Sequence, residues 1–363
     1  MTSQRRTFIK GLGTAATIGA LSGCMGGGGN GDGSGPGMAM APDGMMGVWM
    51  DHIVNETSIL QDTMDEAGYE MTIDSSWEDA ALFASGQATF STFSSLEAAQ
   101  LAGQRDQNLV VFGRVHPQYM GWMVDTGGDY DPDNTGSVQA SIDALVEDDG
   151  LVGIGAWNGG HVPTDTIAMD QVYGYEFAEE GGDFNVTTAD YVAIPTLIND
   201  GELAAGSTSP EHGGARFLTD DQEDLTKLFW GADLAEEEGF GIPQLNSLVT
   251  TQEFWDQEQE AVEAFTDAFQ QGVDWFLDDP KGHVLDNEEY VEMLGAQNAA
   301  QAEYIIDWGL NLEYDTDTQM VYEDVTMSED AIAADQEFIE YSESIGFVPE
   351  GWDENITFES ISL

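Results

Sequence analysis

Short apolar runs alternate with helix-forming segments along most of this chain, and this alternation restricts the possible folds more than any other feature of the sequence. Residues 69–74, 88–93 and 109–115 have the pattern of β-strands, whereas the segments between them carry the start signals of helices. Strands that alternate with helices form mostly parallel sheets covered by helices. The chain is therefore predicted to be an α/β protein, and its 41% hydrophobic residues are enough to fill a large core.

Residues 45–50 (MMGVWM) are interpreted as the first strand, and residues 262–276 as the clearest helix. Ligands of open α/β sheets bind beyond the carboxyl ends of the strands, so the loops after the strands are expected to hold the site. The helix carries an apolar stripe that predicts a core contact. The stripe consists of Val262, Phe265, Phe269, Val273 and Phe276.

Two predicted turns before helices are candidate cradles for an anion. Ser94 and Ser95 start a helix in a capping-box pattern that ends at Glu97, and the free N–H groups there would receive a carboxylate or oxoanion. Ser94 could also serve only as an N-cap, and the two roles can coexist. The second cradle follows residues 151–157, where glycine allows close backbone approach, although an ordinary turn remains the alternative. Its candidate residues are Trp157, Asn158, Gly159, Gly160 and Thr164.

Two further loops supply candidate ligand-binding residues. Trp49 could stack on a planar ligand or belong to the core, and Asp51 and His52 follow it. Arg114 and Arg216 could contact an anion or form surface ion pairs. The loop after a strand near residue 205 adds Ser207, Ser209 and His212.

The chain carries eight basic and 69 acidic residues, which gives a formal net charge of −61. This charge excludes nucleic-acid binding through phosphate neutralisation and electrostatic attachment to anionic lipid. Repulsion among so many acids destabilises a compact fold in dilute salt, but at molar salt the Debye length falls to about 3 Å. We therefore expect a protein that works in near-saturated salt, as in salt-loving archaea.

The amino terminus has the pattern of an export signal. Arg5 and Arg6 precede an apolar stretch over residues 11–23, which is too short to span a bilayer permanently and suits the twin-arginine route. Residues 21–24 (LSGC) resemble a lipobox that would lipidate Cys24, the single cysteine of the chain. The Gly-rich segment that follows is expected to be a flexible tether.

Four stretches resemble the extracytoplasmic solute-binding proteins of ABC importers, in the nitrate/sulfonate/bicarbonate-like branch that also includes binders of pyrimidine thiamine precursors. They are the lipobox around Cys24, residues 80–88 (AALFASGQA), residues 93–99 (FSSLEAA) and the Gly-rich turn after residues 151–157. Thr89 stands near the position where the family carries an acidic residue. The resemblance covers roughly residues 45–215.

The resemblance implies a periplasmic-binding-protein-like type II fold, in which two α/β lobes close on a ligand around a hinge of two crossing strands. The crossings are expected near residues 114–118 and 243–247. The implied organisation is a signal at 1–23, a tether at 24–43, lobe one at 44–115 plus 250–345, lobe two with the hinge strands at 116–249, and a C-terminal extension at 346–363.

The resemblance also implies the partners. We expect a monomer without catalytic activity, cofactor or metal, held on the outer face of the cell membrane by the lipid on Cys24, that delivers a small solute to an ABC permease. The solute is expected to be a nitrate-, sulfonate- or carboxylate-like anion or a pyrimidine-like ring. The five histidines show no metal-binding motif and no cluster.

Two other functions remain open on the same fold. One is a cell-surface enzyme similar to pyrimidine synthases, which hold pyridoxal phosphate on a lysine. Beyond the signal only Lys227 and Lys281 could serve, and neither lies in a predicted cleft loop. The other is a ligand sensor that presents itself to a membrane receptor.

Overall fold

The structure is a computed structural model that describes residues 37–40, 44–75, 79–105, 107–157, 159–219, 224–311 and 319–363. The predicted signal, the lipidation site Cys24 and Asn158 lie outside the described residues. Within them the strands are β1 (Gly37–Met40), β2 (Thr72–Ser75), β3 (Phe90–Ser91), β4 (Leu109–Pro117), β5 (Gly121–Asp125), β6 (Leu151–Ile154), β7 (Asn185–Thr188), β8 (Ala205–Thr208), β9 (Leu225–Trp230), β10 (Gln244–Thr251) and β11 (Ile356–Phe358).

Helices surround these strands. The α-helices are α1 (Gly44–Asp51), α2 (Ile59–Glu66), α3 (Asp79–Ala84), α4 (Ser95–Arg105), α5 (Pro132–Thr135), α6 (Val138–Glu147), α7 (Val162–Ile167), α8 (Ile194–Asn199), α9 (Gly231–Glu238), α10 (Gln252–Gln257), α11 (Gln259–Asp278), α12 (Pro280–Val284), α13 (Glu288–Met293), α14 (Ala299–Gly309) and α15 (Glu329–Ser344). Two π-helical segments span His52–Glu56 and Ala168–Tyr173, and 3-10 turns span Tyr191–Ala193, Gly214–Phe217 and Trp352–Glu354.

The strands form two sheets, and each sheet is the centre of one lobe. Lobe one has the order β11-β4-β10-β3-β1-β2, and lobe two has the order β7-β6-β8-β5-β9. In lobe one β1 is parallel to β2 and β3, whereas β10 is antiparallel to β3 and β4. In lobe two β6 is parallel to β7 and β8, and β5 is antiparallel to β8 and β9. The predicted α/β class is confirmed.

Two neighbouring strands carry the chain between the lobes. β4 leads out of lobe one into β5, and β10 returns the chain from lobe two. The strands pair where they cross, with Gln244 opposite Pro117 and Asn246 opposite His116. Just beyond them the Gln118 N–H donates to the Pro243 carbonyl oxygen at 2.7 Å. The predicted hinge of two crossing strands is therefore present.

The first strand is not where the sequence analysis placed it. Residues 45–50 belong to helix α1, and the strand is β1, which lies within the segment interpreted as a tether up to residue 43. The error has a physical cause, because a short run of apolar residues that is buried on every side has no periodicity that separates strand from helix. The Gly-rich composition before Gly37 also hid a strand whose last three residues are buried.

The end of the chain also belongs to the fold rather than to an extension. β11 pairs in parallel with β4, with Ile356 opposite Leu109, and so forms an edge of the lobe-one sheet. β9 and α9 lie in a region where the sequence analysis predicted no element. Three-residue strands and strands with mixed polarity give weak sequence signals, and their neighbours in the sheet decide their conformation.

The predicted core contact of α11 is confirmed. All five residues of its apolar stripe are at most 1% exposed. Phe265 stacks on Phe90 of β3 with a centroid distance of 4.3 Å and an interplanar angle of 8°. Lobe two has its own aromatic core, in which Trp122 contacts Phe177 and Phe184 edge to face. One buried apolar cluster extends across both lobes and includes Met45 of lobe one and Trp230 of lobe two.

Candidate functional site

The two lobes meet along a buried surface that we call the seam. Parallel strands of both lobes end toward it, which is where α/β sheets bind ligands. The seam is formed by Met45, Ser94, Glu97, Gly295 and Trp308 of lobe one and by Tyr119, Gly160, Tyr191, Glu211, His212 and Trp230 of lobe two.

Glu211 connects the loop after β8 to the first turn of α1. Its carboxylate Oε1 accepts a hydrogen bond of 2.8 Å from the Met45 backbone N–H, and Tyr119 also donates to the carboxylate. An ideal Cβ on Gly44 would lie 2.9 Å from Glu211 Oε2, so a glycine, here at φ +78°, leaves room for the carboxylate. Burial raises the pKa of Glu211 to about 7, although the hydrogen bonds from Met45 and Tyr119 oppose this rise. A carboxylate of lobe two thus fills the anion position at a helix start of lobe one.

The predicted capping box at α4 is confirmed. Ser94 donates from both its N–H and its hydroxyl to Glu97 Oε2, at 3.0 and 2.8 Å, and the Glu97 N–H donates back to Ser94 Oγ at 3.1 Å. The Ser95 hydroxyl donates to Asp335 Oδ1 of α15 at 2.6 Å. Both serines that the sequence offers to a ligand are therefore engaged by carboxylates of the chain itself.

The predicted glycine cradle is filled in the same way. Gly160 lies against the capping box, because an ideal Cβ there would be 3.0 Å from Glu97 Oε2. Tyr191 covers the rest of the turn, since an ideal Cβ on Gly155 would be 1.9 Å from its ring and one on Gly159 would be 2.5 Å from its hydroxyl. The glycines permit close approach as predicted, but to side chains of this chain.

Five aromatic and imidazole rings form a continuous chain through the middle of the seam. Neighbouring ring centroids lie 5.4–6.3 Å apart. The first ring, on β4, also lies 5.4 Å from Trp49, and the second lies 5.6 Å from Trp308. We call this set the ring chain; it consists of His116, Tyr119, His212, Tyr191 and His161.

The three imidazoles of the ring chain are held neutral. Burial lowers the pKa of His116 to about 4, and a hydrogen bond to the Met320 carbonyl oxygen opposes this only in part. Burial lowers the pKa of His161 to about 3 and that of His212 to about 4. A neutral imidazole has one donor and one acceptor nitrogen, so the seam offers hydrogen bonds without positive charge.

A buried polar group lies beside the ring chain in lobe two. Asp165 Oδ2 and His161 Nε2 are 3.9 Å apart, and neither has a hydrogen-bond partner among the described residues. Thr164 Oγ1 is buried and equally without a partner in the described part of the chain. Burial raises the pKa of Asp165 to about 7, although interactions with Trp122 and Ser207 oppose this rise. Unpaired buried polar atoms are uncommon in native proteins and mark a place where a ligand or water supplies the missing bonds.

A groove of about 500 Å³ opens between the lobes at the edge of the seam. Its volume falls in the range of small-molecule sites. Helix α7 and the segment after it form one wall, and Phe347, after α15, forms the other. The lining includes the aromatic residues Trp157, Phe177 and Phe347 and the acids Asp170, Glu176 and Glu179.

The structure separates the predicted residues into two groups. Ser94, Ser95, Gly159, Gly160, Thr164, Ser207, Ser209 and His212 lie in or beside the seam, and Ser209 Oγ is 2.6 Å from His212 Nδ1. Trp157 lies at the groove, where it contacts Phe177.

The other group lies in the body of lobe one. Trp49 packs on Phe269 and Phe276 of α11, His52 stacks on Trp275 at 3.7 Å, and Asp51 accepts a hydrogen bond from Asn55. The cause is the misassigned first strand, because α1 directs its first turn toward the seam and its last residue, Asp51, away from it. Trp49 lies between them, and its ring reaches His116 at the lobe-one end of the ring chain.

Glu211, Tyr119 and Tyr191 are seam residues that the sequence analysis missed. Glu211 lies between the predicted residues Ser209 and His212, but one more acid carries no signal in a chain with 69 of them. Tyr119 follows β4 at the hinge and Tyr191 follows β7, so their position at the ends of strands was the available clue.

The histidines do not form a metal centre in the described residues. Three of the five meet in the ring chain, but no group of three His, Cys, Asp or Glu side chains there has an arrangement that could hold a metal ion. Among the helices that the structure describes, none has the length and apolar character needed to cross a bilayer.

The chain matches no protein-family model and no curated protein. Its fold is shared by the periplasmic aliphatic sulphonate binding protein SsuA from Escherichia coli, with a TM-score of 0.63 at 11% identity over 90% of this chain and 93% of that one. The alkanesulfonate-binding protein SsuA from Xanthomonas axonopodis pv. citri bound to MOPS has a TM-score of 0.63 at 10% identity over 89% and 98%. The periplasmic nitrate-binding protein NrtA from Synechocystis PCC 6803 has a TM-score of 0.59 at 13% identity over 88% and 85%.

These similarities establish the fold. The chain has the periplasmic-binding-protein-like architecture of two α/β lobes joined by crossing strands. Such an architecture can open and close about its hinge, and the seam presents hydrogen-bonding and aromatic groups from both lobes.

Proposed function

We propose that this protein is an extracytoplasmic solute-binding protein, which captures a small solute between its lobes and delivers it to the permease of an ABC importer. The observation that carries the proposal is the seam. Two lobes that share the crossing strands β4 and β10 meet over buried rings and over polar atoms without partners in the described residues. A ligand bound between the two lobes could stack on these rings and supply the hydrogen bonds that the polar atoms lack.

Closure of the two lobes around the solute is the change that the permease of an importer would recognise. A solute shifts the population toward the closed state only if it binds that state more tightly, so it must contact both lobes. The seam meets this requirement, because the ring chain runs from β4 to lobe two and Tyr119 also contacts Trp308 of lobe one. The names of the proteins that share the fold, which bind sulfonates and nitrate, support the same role.

The proposal includes anchoring of the protein at the membrane. Twin-arginine export and lipidation at Cys24 would leave residues 25–36 as a leash before β1. A Gly-rich linker of this length has an average span on the order of 20 Å, which would keep the lobes near a permease on the outer face of the membrane. The high negative charge fits a folded protein that works in brine.

The enzyme alternative receives no support from the lysines. Lys281 Nζ binds Asp307 Oδ1 at 2.7 Å and Glu303 Oε1 at 3.0 Å within lobe one. Lys227 Nζ lies 5.7 Å from the ring centre of Trp230. A lysine that forms a Schiff base must lose its proton first, and the carboxylates of Asp307 and Glu303 raise the pKa of Lys281 and so disfavour this loss.

The test is a screen in molar potassium chloride that measures the melting temperature and the small-angle scattering of the mature chain with candidate solutes. We expect a solute to raise the melting temperature in a saturable manner, to change the radius of gyration and to be recovered unchanged by mass spectrometry. Conversion of the bound compound into a product would support the enzyme instead. Identical scattering and melting with every solute would refute binding between the lobes.

A further inference from the structure

We infer that the solute bound between the lobes is uncharged and carries a ring. The reason is that Glu211 and Glu97 of the chain itself accept hydrogen bonds from the N–H groups at the helix starts where an oxoanion would bind. The inference rests on the proposed solute-binding function and specifies its solute. It also separates this protein from the sulfonate- and nitrate-binding proteins that share its fold.

The helix starts of lobe one are the first part of the argument. At α1 the Met45 N–H is bonded to Glu211, and at α4 the Ser94 N–H is bonded to Glu97. Asp335 is bonded to the next serine, Ser95. An anionic ligand would have to displace these side chains or lie beside them. Above pH 7, where Glu211 is ionised, like charges at contact distance also repel strongly in a buried site.

The positive charges are the second part. Neutral imidazoles supply the nitrogen atoms of the ring chain, so the seam does not gain positive charge from its histidines at neutral pH. Each Lys and Arg whose side chain the structure describes lies against a ring or between acids. The pairs are Arg114 with Tyr322, Arg216 with Phe217, Lys227 with Trp230, and Lys281 with Glu303 and Asp307. Arg216 keeps a buried Nε without a hydrogen-bond partner among the described residues, so a variant at this position is part of the test.

The groove is the third part. Its charged lining consists of Asp170, Glu176 and Glu179, so an anion that enters between the lobes meets acids first. Its aromatic lining offers faces on which a flat ring can stack.

The unpartnered atoms beside the ring chain complete the description of the solute. His161 Nε2 and Thr164 Oγ1 are buried without partners in the described residues. A ring that carries its own donors and acceptors would pair with them without a net charge. A buried hydrogen bond to such groups also discriminates strongly against a ring that lacks the matching atom.

A library that holds each ring in a neutral and a charged form tests the inference. It contains benzamide with benzoate and benzamidine, nicotinamide with nicotinate, and acyclic solutes as a separate set. Calorimetric titration in molar potassium chloride at pH 8.5, where Glu211 is ionised, should give at least tenfold tighter binding for the amide than for the charged forms of the same ring. Tighter binding of the charged form would overturn the inference and leave the solute-binding function intact.

Substitutions at the two carboxylates test the stated cause. Glu97→Gln and Glu211→Gln keep the acceptor oxygen and remove the charge, so at pH 8.5 each should raise the affinity for the carboxylate form at least tenfold relative to the affinity for the amide of the same ring. Glu340→Gln, on the exposed side of α15, is the matched control and should change neither affinity. Unchanged exclusion of carboxylates in both seam variants would overturn the assignment to Glu97 and Glu211.

Two further variants test the ring and the remaining arginine. Trp157→Ala should weaken binding of the ring at least tenfold, whereas Trp157→Phe should keep most of it. Arg216→Gln should leave binding of the amide unchanged, and a loss there would show that a positive charge recognises the solute. Failure of every ring to bind would overturn the inference, and stabilisation by an acyclic solute in the same screen would show that the proposed function survives.

Discussion

The carboxylate of Glu211 in lobe two accepts a hydrogen bond of 2.8 Å from the backbone N–H of Met45, in the first turn of α1 in lobe one. The bond crosses the seam and joins two segments that are 166 residues apart in the sequence. The backbone on either side is equally close, because an ideal Cβ on Gly295 of lobe one would lie 2.0 Å from the Glu211 carbonyl oxygen. Closure of the lobes therefore depends on glycine at this contact.

Gly295→Ala should hold the lobes apart. Gly295 has φ +76° and no space for a Cβ beside Glu211. Alanine there has a strained backbone, and the clash of its Cβ with Glu211 is relieved if the hinge opens. We expect a larger radius of gyration by small-angle scattering and loss of the stabilisation by solute. Gly239→Ala is the control, since φ is +75° there and nothing lies within 4 Å of the added carbon. The control should lose about 1 kcal/mol of stability and keep wild-type scattering; equal scattering of the two variants would contradict the prediction.

Glu211→Gln should flatten the dependence of stability on pH. The pKa of Glu211 is raised from 4.5 to about 7 by burial, so between these values the folded state keeps a proton that the unfolded state has lost. The free energy of unfolding therefore falls as the pH rises through this window, by on the order of 3 kcal/mol for a shift of this size. Glutamine removes the titration and keeps an acceptor for the Met45 N–H.

The measurement is the melting temperature between pH 4.5 and pH 8 in molar salt, in which repulsion among surface acids is screened. Asp335→Asn is the control inside lobe one, because burial raises the pKa of Asp335 to about 7 as well. Both variants should reduce the slope, because each removes one buried carboxyl group with a raised pKa. A slope in Glu211→Gln equal to that of the wild type would exclude this residue as the titrating group.

Ser94→Ala should destabilise the fold and also change solute binding. Loss of an N-cap hydroxyl costs about 1 kcal/mol, and here it also removes one of the two hydrogen bonds that Ser94 donates to the Glu97 carboxylate beside Gly160. Ser328→Ala removes a similar cap, the hydroxyl that accepts from the Ala331 N–H at the start of α15. Urea unfolding should show similar losses for the two variants, whereas calorimetry should show altered solute affinity for Ser94→Ala alone. Equal affinity in both would mean that the capping box has a purely structural role.

The melting temperature of the wild type should rise steeply with salt. The formal net charge is −61, and the acidic side chains repel one another. The Debye length, over which this repulsion acts, is about 10 Å at 0.1 M salt and only about 3 Å at 1 M. Dialysis into dilute buffer should therefore unfold the chain, as followed by tryptophan fluorescence. A melting temperature that stays constant from dilute to molar salt would refute adaptation to brine.

Local patterns were enough to predict much of the fold. The 3–4 residue spacing along α11 marked its buried face, and the spacing from Ser94 to Glu97 marked a capped helix start. Both spacings repeat over one turn of a helix, so the residues that define them are neighbours in the sequence itself. Helix α1 was interpreted as a strand and strand β1 as part of a tether, because their burial comes from neighbours such as β2, β3 and α11 rather than from their own pattern.

The sequence by itself determined the class of fold, the charge of the surface and the glycines that keep space open near the ends of strands. The tertiary structure alone decided what fills that space. Tyr191 lies over Gly155, and Glu211 reaches Met45, because strands distant in sequence bring these side chains together at the seam. A local pattern can show that a helix start or a glycine turn is available, but only long-range packing decides whether the chain itself or a solute occupies it.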